Sequence, residues 1–566
     1  MNDPASVENL RQLAEASRLH QAGQLDAAEQ AYAVLLAATP DDPIALINGG
    51  SLALARNDVP TAIERLRRAV QRVPANAVAL GNLALALIHA GRDDEALRLV
   101  DRALKLQPRN AQLQNTRGMV LVRLHRDAEA TTAFRNALQF DPRQLQASLN
   151  LGALFNRAGA GDEASALFER ALAAAPGNLA ARVGHAFAIA LNGDLDRSLE
   201  ALEAIVKEHD DDATAWQTLG AVANWSWRHA EAEAAFRRAS ALDSRSDEAR
   251  FGIASTLLAR GRYRDGFAAF EARPEGVASS RARLPQWPAW DGNPVAGSLL
   301  LYAEQGLGDV VQFARFVPLA ASRAHEVILL LDGYWQPLAP LLAGLAGVRA
   351  IATKVEDLRN YDIVARASML SLPHLLDATL DGLPSQPYLH APADRLDAWK
   401  QRLANVPHPR VGLAWSVFAR DDHGFVTRHK SVPAQALSDA LAVPDIAFVS
   451  LQPGPAGDPA AFGPLRSRVL DFRAAIRDFA DTAALVAQLD LVASADTAVA
   501  HVAGALGVPV LLLDRYNSCW RWRVDPGESP WYPGLRILRQ SRFGDWSSVG
   551  SALARELRAR FGRATT

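Results

Sequence analysis

The stretch Ser494–Leu513, SADTAVAHVAGALGVPVLLL, predicts the fold of the second half of the chain. It continues the apolar run Leu489–Ala493, which is typical of a buried strand. Asp496 and Thr497 are helix-capping residue types ahead of a helical pattern, and Gly507 predicts the end of that helix. The apolar residues that close the stretch predict a second buried strand. A strand, a turn, a helix and a strand form the unit of a doubly wound α/β sheet, in which ligands bind at the carboxyl ends of strands.

The turn before this helix is a candidate anion site. The free N–H groups of Thr497, Ala498 and Val499 would point at an anion, and the helix dipole would favour a phosphate. His501 lies one turn further along, on roughly the same face as Thr497. Many capped helices in α/β domains bind nothing, so a purely structural turn is the alternative.

Length and composition limit the functional classes. The 566 residues are enough for more than one domain, and 49% of them are apolar. The 60 basic and 62 acidic residues nearly cancel, which argues against a nucleic-acid partner. The single cysteine, Cys519, allows neither a disulfide framework nor a zinc cluster and indicates a reducing compartment. With no secretion signal at MNDPASVENL and no apolar run of the roughly 20 residues that a membrane span needs, we expect a cytoplasmic protein.

The first half of the chain repeats with a period of 34 residues. Small residues recur at one position: Ala16, Gly50, Ala84, Gly118, Gly152, Ala186, Gly220 and Ala254. Large apolar residues recur at another: Tyr32, Leu66, Val100, Phe134, Phe168, Leu202, Phe236 and Phe270. This pattern resembles the tetratricopeptide repeat, a helix–turn–helix unit. The resemblance implies an α-solenoid of eight units over residues 9–275, with a concave groove.

Asparagines line one position of the first helix in several repeats, at Asn48, Asn82 and Asn150. An asparagine amide can bond both a donor and an acceptor of an extended peptide. This series resembles the peptide groove of the repeat-fused O-linked N-acetylglucosamine transferases. The alternative is that asparagine is simply common there in ordinary repeats, and Thr116 and Gly184 interrupt the series.

Residues 276–297 form a proline-rich linker or docking segment, in which Trp287 and Trp290 suggest packing. Short apolar runs then alternate with helical patterns, and the chain is expected to close with a helix over Ser547–Phe561. The strands are predicted at Ser298–Ala303, Glu326–Leu331, Tyr361–Ala365, Arg410–Ser416, Ile446–Leu451, Leu489–Ser494 and Pro509–Leu513. They indicate two Rossmann-like lobes facing a cleft, over residues 298–392 and 393–566.

The first lobe offers the loop EQGLGD, from Glu304 and Gln305 through Gly306 and Gly308 to Asp309. It follows the first strand and precedes the helix predicted over 310–324, so it lies at the edge where ligands bind. The glycines permit a tight turn and close approach of a substrate. Asp309 is either a carboxylate facing an acceptor or simply the cap of the helix.

The second lobe offers Ser416 at the end of a strand and Lys430 in the run RHKS. A cation here would stabilise the charge of a leaving phosphate without a metal. Arg420 and Arg428 are alternatives for that role, and a solvated basic loop is the structural alternative. The aromatic run from Cys519 to Tyr532 would either stack on a nucleotide base or pack inside the lobe, and we favour packing.

The order of these motifs resembles the inverting family nine glycosyltransferases, the heptosyltransferase-like group with a GT-B fold. The glycine–aspartate turn, the lysine loop and D-T-x-x-x-H all occur in the family's order. The resemblance implies Asp309 as the general base beside the acceptor-loop residues Glu304, Gln305, Gly306 and Gly308. It also implies a metal-independent donor site composed of Ser416, Lys430, Asp496, Thr497, Ala498 and His501. The family's longer lysine-loop consensus is missing, which leaves the donor sugar and its nucleotide open.

The complete chain is thus expected to be a tetratricopeptide solenoid followed by an α/β GT-B domain. Bacterial proteins of this arrangement resemble flagellin glycosyltransferases, which implies that the repeats hold a flagellin acceptor. The nucleotide sugar is a substrate, and no cofactor is expected. Two alternatives remain. A lipopolysaccharide heptosyltransferase would explain the motifs but not the repeats, and an inactive transferase domain would make the protein an interaction scaffold.

Overall fold

The computed structural model describes residues 4–273, 284, 286–417, 429–522 and 529–562. The chain divides into two compact units, Met1–Ala188 and Ile189–Thr566, and each is described by itself. No helix within the described residues is both long and apolar enough to cross a bilayer.

Sixteen consecutive helices occupy the described residues before 274. Their bounds are α1 Pro4–Gln21, α2 Leu25–Ala38, α3 Pro43–Ala55, α4 Val59–Arg72, α5 Ala77–His89, α6 Asp93–Leu106, α7 Ala111–Arg123, α8 Asp127–Phe140, α9 Leu145–Arg157, α10 Gly161–Ala174, α11 Leu179–Leu191, α12 Leu195–Glu208, α13 Ala213–Trp225, α14 His229–Leu242, α15 Asp247–Ala259 and α16 Tyr263–Phe270. In many repeats the first helix is preceded by an Asp, Asn or Ser whose side chain accepts the backbone N–H of the residue three positions later. Asn110, for example, accepts the N–H of Leu113 at 3.1 Å.

The two repeat columns meet inside the helix pairs that have a glycine at the small position. In the first compact unit, a Cβ added to Gly118 would lie only 2.4 Å from the ring of Phe134. In the second unit, a Cβ added to Gly220 would lie 2.9 Å from the ring of Phe236. The small residue therefore admits the large one from the partner helix, as the 34-residue pattern predicts.

The first parallel sheet of the second unit has the strand order β3-β2-β1-β4. Its strands are β1 Ser298–Tyr302, β2 Glu326–Leu330, β3 Val348–Ala352 and β4 Ile363–Ser368. Its helices are α17 Leu307–Phe313, α18 Val317–Ala321, α19 Ala339–Leu342 and α20 Leu372–Leu375. The connections leave β1 toward β2 on one side and return to β4 on the other, so the carboxyl ends of β1 and β4 form a switch point.

The second parallel sheet has the order β10-β9-β8-β5-β6-β7, which is the strand order of a Rossmann fold. Its strands are β5 Arg410–Ala414, β6 Ala447–Ser450, β7 Val469–Leu470, β8 Leu491–Ala495, β9 Val510–Asp514 and β10 Leu535–Arg539. The helices of this part are α21 Ala393–Arg402, α22 Ser438–Leu441, α23 Phe479–Val486, α24 Ala498–Leu506 and α25 Trp546–Phe561. Here the switch point lies between β5 and β8.

The structure corrects several expected elements. The predicted helix over 310–324 is divided into α17, a 3₁₀ turn at Ala314–Phe316 and α18, because Pro318 cannot donate the hydrogen bond that a continuous helix needs. Strands β3, β7 and β10 were not predicted. Arg349 in β3, and Arg536 and Arg539 in β10, interrupt the apolar runs by which buried strands are recognised.

The last repeat helix, α16, packs against the α/β core. Tyr263 stacks on Trp531 with ring centroids 5.6 Å apart. Phe267 meets Phe313 of α17 edge to face at 6.2 Å and Trp520 at 6.0 Å. All five rings are at least 95% buried. The eighth repeat and both sheets therefore share one hydrophobic core within the second unit.

Candidate functional site

Asp309 lies in the first turn of α17, at the carboxyl edge of the first sheet. It is not the helix cap: Gly306 occupies that position and donates its N–H to Oδ2 of Asp309 at 2.9 Å. Arg521, which follows β9, donates to Oδ1 of the same carboxylate. The side chains of Asp309 and Arg521 are 21% and 11% exposed. Asp309 is thus an oriented, accessible carboxylate with a cation from the second sheet beside it.

Gly308 brings the first loop against helix α24. A Cβ added to Gly308 would lie 2.9 Å from Cδ2 of His501 and 3.4 Å from Cα of Ala498. Such an atom would clash with the histidine ring, so the close approach depends on glycine. The EQGLGD loop and the D-T-x-x-x-H stretch, which are separated by almost two hundred residues, therefore meet in one place.

Asp496 is held on both oxygens at the carboxyl end of β8. Nζ of Lys430 lies 2.6 Å from Oδ2, and Nε1 of Trp522 donates to Oδ1 at 3.0 Å. Burial alone would raise the pKa of Asp496, but the Lys430 ammonium and the other contacts outweigh burial and hold this pKa well below its usual range. Lys430 and Asp496 thus form a pair at the β5/β8 switch point. Arg420 and Arg428, the alternatives to Lys430, lie outside the described residues.

The first turn of α24 differs in one detail from the expected anion site. Thr497 is the cap, and its Oγ1 accepts the N–H of Val499 at 3.3 Å. The Val499 N–H, which the sequence predicted to be free for an anion, is therefore not available to a ligand. The amides of Thr497 and Ala498 make no hydrogen bond within the described residues. Gly507 ends the helix in the left-handed conformation, with φ of 78°, as its position predicts.

His501 is 96% buried beneath this turn. Its Nδ1 is 3.0 Å from the hydroxyl of Tyr532, and its ring stacks on Trp522 at 5.3 Å. Burial lowers the pKa of His501 to about 4, despite the opposing charge of Asp496, so the imidazole is neutral at pH 7. A neutral ring packs among aromatics without leaving a buried charge unpaired.

Ser416 lies just beyond β5 and is fixed through its backbone. Oε1 of Gln452 accepts the N–H groups of Trp415 at 2.6 Å and Ser416 at 2.8 Å, while Nε2 donates to the Ser416 carbonyl at 2.6 Å. Gln452 was not identified from the sequence, because a single glutamine after a strand carries no recognisable pattern. It orders the backbone at the switch point.

Glu304 and Gln305 have structural contacts that the sequence did not reveal. Glu304 is 99% buried and forms an ion pair with Arg273, which follows α16, instead of facing a substrate. Gln305 has a positive φ of 57°, and its carbonyl accepts the indole N–H of Trp335 at 3.1 Å. Within the EQGLGD loop, Gly308 approaches α24 and Asp309 contacts Arg521, whereas the contact of Gly306 is with Asp309.

The described tryptophans of the aromatic run after β9 pack inside the second unit, which agrees with the favoured interpretation. Trp520, Trp522 and Trp531 are 96% buried or more. The missed functional candidate is Arg521, between two of these tryptophans, whose guanidinium also lies 4.4 Å from the Trp520 ring. The alternation of tryptophan and arginine in CWRWR was the available signal, but only the fold reveals that this arginine reaches Asp309.

The asparagine series lies in the first unit, and its members are half-buried. Asn48 donates to Ser17 at 3.4 Å, and Asn150 donates to Asn115 at 3.0 Å. Asn115 is fully buried one residue before the repeat position that Thr116 occupies. Two of the three predicted peptide contacts therefore have partners within the chain, and peptide binding stays a prediction.

Comparison with known proteins supports the repeats directly. Residues 53–119 and 155–222 match one tetratricopeptide repeat family, and residues 115–178 match another. The repeats of the first half are therefore tetratricopeptide repeats.

The chain also resembles the protein FlbA of Caulobacter vibrioides, with 29% identity over 335 residues. The match covers 54% of each chain, so the protein spans about half the length of this curated relative. Among solved structures, a repeat protein of Thermus thermophilus is 27% identical over 32% of this chain and 99% of its own, with a TM-score of 0.30. A repeat protein of Parabacteroides merdae is 18% identical over 44% of this chain and 98% of its own, with a TM-score of 0.37.

Proposed function

We propose that the second half is an inverting GT-B glycosyltransferase that moves a sugar from a nucleotide sugar to a protein hydroxyl. The observation that carries the proposal is the contact of Gly308 with Ala498 and His501. This contact brings a loop with an accessible carboxylate to a helix with free N-terminal amides. A base and a phosphate site on opposite sides of one cleft are what a single displacement requires.

In this mechanism Asp309 removes the proton of the acceptor hydroxyl as that oxygen attacks the anomeric carbon. The bond between the sugar and the nucleotide phosphate breaks, and the nucleotide leaves with the electron pair. A carboxylate oxygen has two acceptor positions, so the bonds from Gly306 and Arg521 leave room for the acceptor hydroxyl on Asp309. The amides of Thr497 and Ala498 would stabilise the leaving phosphate, with Lys430 as the nearby cation.

The repeats would bind the protein acceptor and present it to the second half of the chain. Tetratricopeptide repeats offer a surface for an extended protein segment, and the eighth repeat packs directly on the core of the proposed transferase. The resemblance to repeat-fused transferases suggests flagellin as this acceptor.

Transfer can be measured with purified protein, purified flagellin and a panel of nucleotide sugars. We expect one donor to give a mass increase of one sugar residue on flagellin, together with release of the nucleotide. Flagellin from cells that lack the protein should lose the same mass. If no donor is consumed and flagellin mass is identical in both cell types, the proposal with this acceptor is wrong.

A protein-binding scaffold with an inactive domain is the second candidate. The observation in its favour is the ion pair of Asp309 with Arg521, because the arginine occupies part of the carboxylate that an acceptor hydroxyl would need. The two candidates differ in donor binding. A scaffold would hold its partner protein but bind no nucleotide sugar in calorimetry, whereas a transferase would bind one.

A further inference from the structure

The segment that follows the last repeat reaches the loop that contains Asp309. Arg273 has a fully buried side chain, three residues after the end of α16. Its Nε donates to Oε1 of Glu304 at 2.7 Å, and its terminal nitrogen donates to the same oxygen. Glu304 lies two residues after β1 and five residues before Asp309. The guanidinium thus fixes the start of the loop.

The same guanidinium is itself held in place. It donates to the Phe270 carbonyl at 3.2 Å and to Oγ of Ser371, just beyond β4, at 3.0 Å. It also pairs with Glu271 at 2.9 Å, and Glu271 accepts the Ser371 hydroxyl at 2.9 Å. Arg273 therefore joins the repeat end to the carboxyl ends of both β1 and β4, the switch point of the first sheet.

Helix α16 also contacts the far end of the same segment. Phe267 packs edge to face on Phe313, the last residue of α17, at 6.2 Å. The stretch from Gln305 to Gln312, which includes Asp309, is thus bounded on both sides by contacts from the eighth repeat. A segment held at both ends has fewer conformations, and its central carboxylate is oriented accordingly.

We infer that Arg273 is a positioning residue through which the last repeat sets the conformation of the 304–309 loop and the direction of Asp309. An effect of Arg273 on sugar transfer rests on the proposed function, whereas the coupling between the last repeat and the loop does not. The buried pair suits this role because two charged N–H groups that converge on one carboxylate oxygen fix geometry more narrowly than an apolar contact.

Hydrogen exchange of the full chain tests the inference without an activity assay. In Arg273→Met we expect a peptide covering 304–313 to exchange about tenfold faster or more, because the Gly306 and Val310 amides are bonded only while the turn is formed. Arg273→Lys keeps the charge but loses the fork, so an intermediate increase is expected.

Arg264→Ala is the matched control. Arg264 in α16 also pairs with the first-sheet region, at Asp377, but both side chains are about two-thirds exposed. This variant should leave exchange of the 304–313 peptide unchanged. Because a lone buried charge can prevent folding, Arg273→Met is also combined with Glu304→Met, which removes both charges.

The inference is overturned if a folded Arg273→Met protein, or the double variant, shows wild-type exchange over 304–313. It is also overturned if the exchange of β1, β8 and the 304–313 peptide rises equally, since that would indicate general destabilisation. A parallel transfer assay separates the two proposals. If the wild-type protein transfers no sugar while Arg273→Met still shows faster loop exchange, the proposed function is rejected and the coupling is retained.

Discussion

Arg521 donates a hydrogen bond to Oδ1 of Asp309, and this ion pair joins the two sheets beside the loop that follows β1. Burial alone would lower the pKa of Arg521, but Asp309 and the other contacts raise it above its ordinary value, so the guanidinium stays charged. Substituting Asp309 therefore affects two things at once: the candidate base, and the only carboxylate that Arg521 contacts within the described residues.

Asp309→Asn should reduce sugar transfer by about 10²–10⁴-fold, since the amide cannot accept the proton of an acceptor hydroxyl. It should also lower the thermal stability, because Arg521 is left without a paired charge. Turnover rate, melting temperature and nucleotide-sugar affinity are measured together. Asp265→Asn, an exposed first-turn aspartate of α16, is the matched control. A rate within about threefold of wild type would reject Asp309 as the base.

The double variant Asp309→Asn with Arg521→Gln separates stability from chemistry. Removing both charges should recover most of the melting temperature that Asp309→Asn loses. Transfer should stay low, because the base is still missing. Full recovery of transfer would show that Asp309 matters only as a partner of Arg521.

Lys430→Ala should weaken nucleotide-sugar binding by roughly 1.5–3 kcal/mol if the ammonium contacts phosphate. It also leaves the Asp496 carboxylate, which is 12% exposed, without its cation. Since the pKa of Asp496 is lowered in the folded state, this carboxylate stabilises the fold above its unfolded pKa, and the stabilisation is lost as pH falls. The difference in free energy of unfolding between wild type and Lys430→Ala should therefore be larger at pH 7 than in acid. Unchanged donor affinity in calorimetry would remove Lys430 from the site.

His501 should make stability fall on mild acidification. Its pKa is lowered from 6.5 to about 4 by burial, so the unfolded chain binds the proton first as pH decreases. The contribution is complete above pH 6.5 and is lost between there and about pH 4, by about 3 kcal/mol in total. When the free energy of unfolding is measured in urea across this pH range, it should fall less steeply with decreasing pH in His501→Gln than in wild type. The exposed His89→Gln in α5 serves as the control, and equal slopes in all three proteins would contradict the assignment.

Gly118→Ala should destabilise the first unit, because the new methyl group would overlap the Phe134 ring. Overpacking costs about 1–3 kcal/mol, and the 2.4 Å approach indicates the upper part of this range, beyond the gain in helix propensity. Gly177→Ala is the control, since nothing lies within 4 Å of its added Cβ. Thermal unfolding of both variants provides the comparison. Equal melting temperatures would mean that helices α7 and α8 separate at little cost.

The sequence predicted those features that repeat or that concern neighbours along the chain. The 34-residue columns identified Gly118 and Phe134 as a pair, and the Thr497 cap with its Gly507 stop gave α24 to within a residue. Strand β10 was not predicted, because Arg536 and Arg539 interrupt its apolar run. The helix predicted over 310–324 is divided in the structure, because Pro318 interrupts its hydrogen bonds.

The sequence by itself determined the repeat array, the two α/β series and the loops at the carboxyl ends of their strands, because periodicity and capping are local properties of a chain. Only the tertiary structure decided which side chains meet. Arg521 reaches Asp309 across 212 positions, Gly308 admits the His501 ring, and Glu304 is buried against Arg273. Such contacts depend on the strand order and on the packing of α16 against the core, and no local pattern of residues encodes either of these.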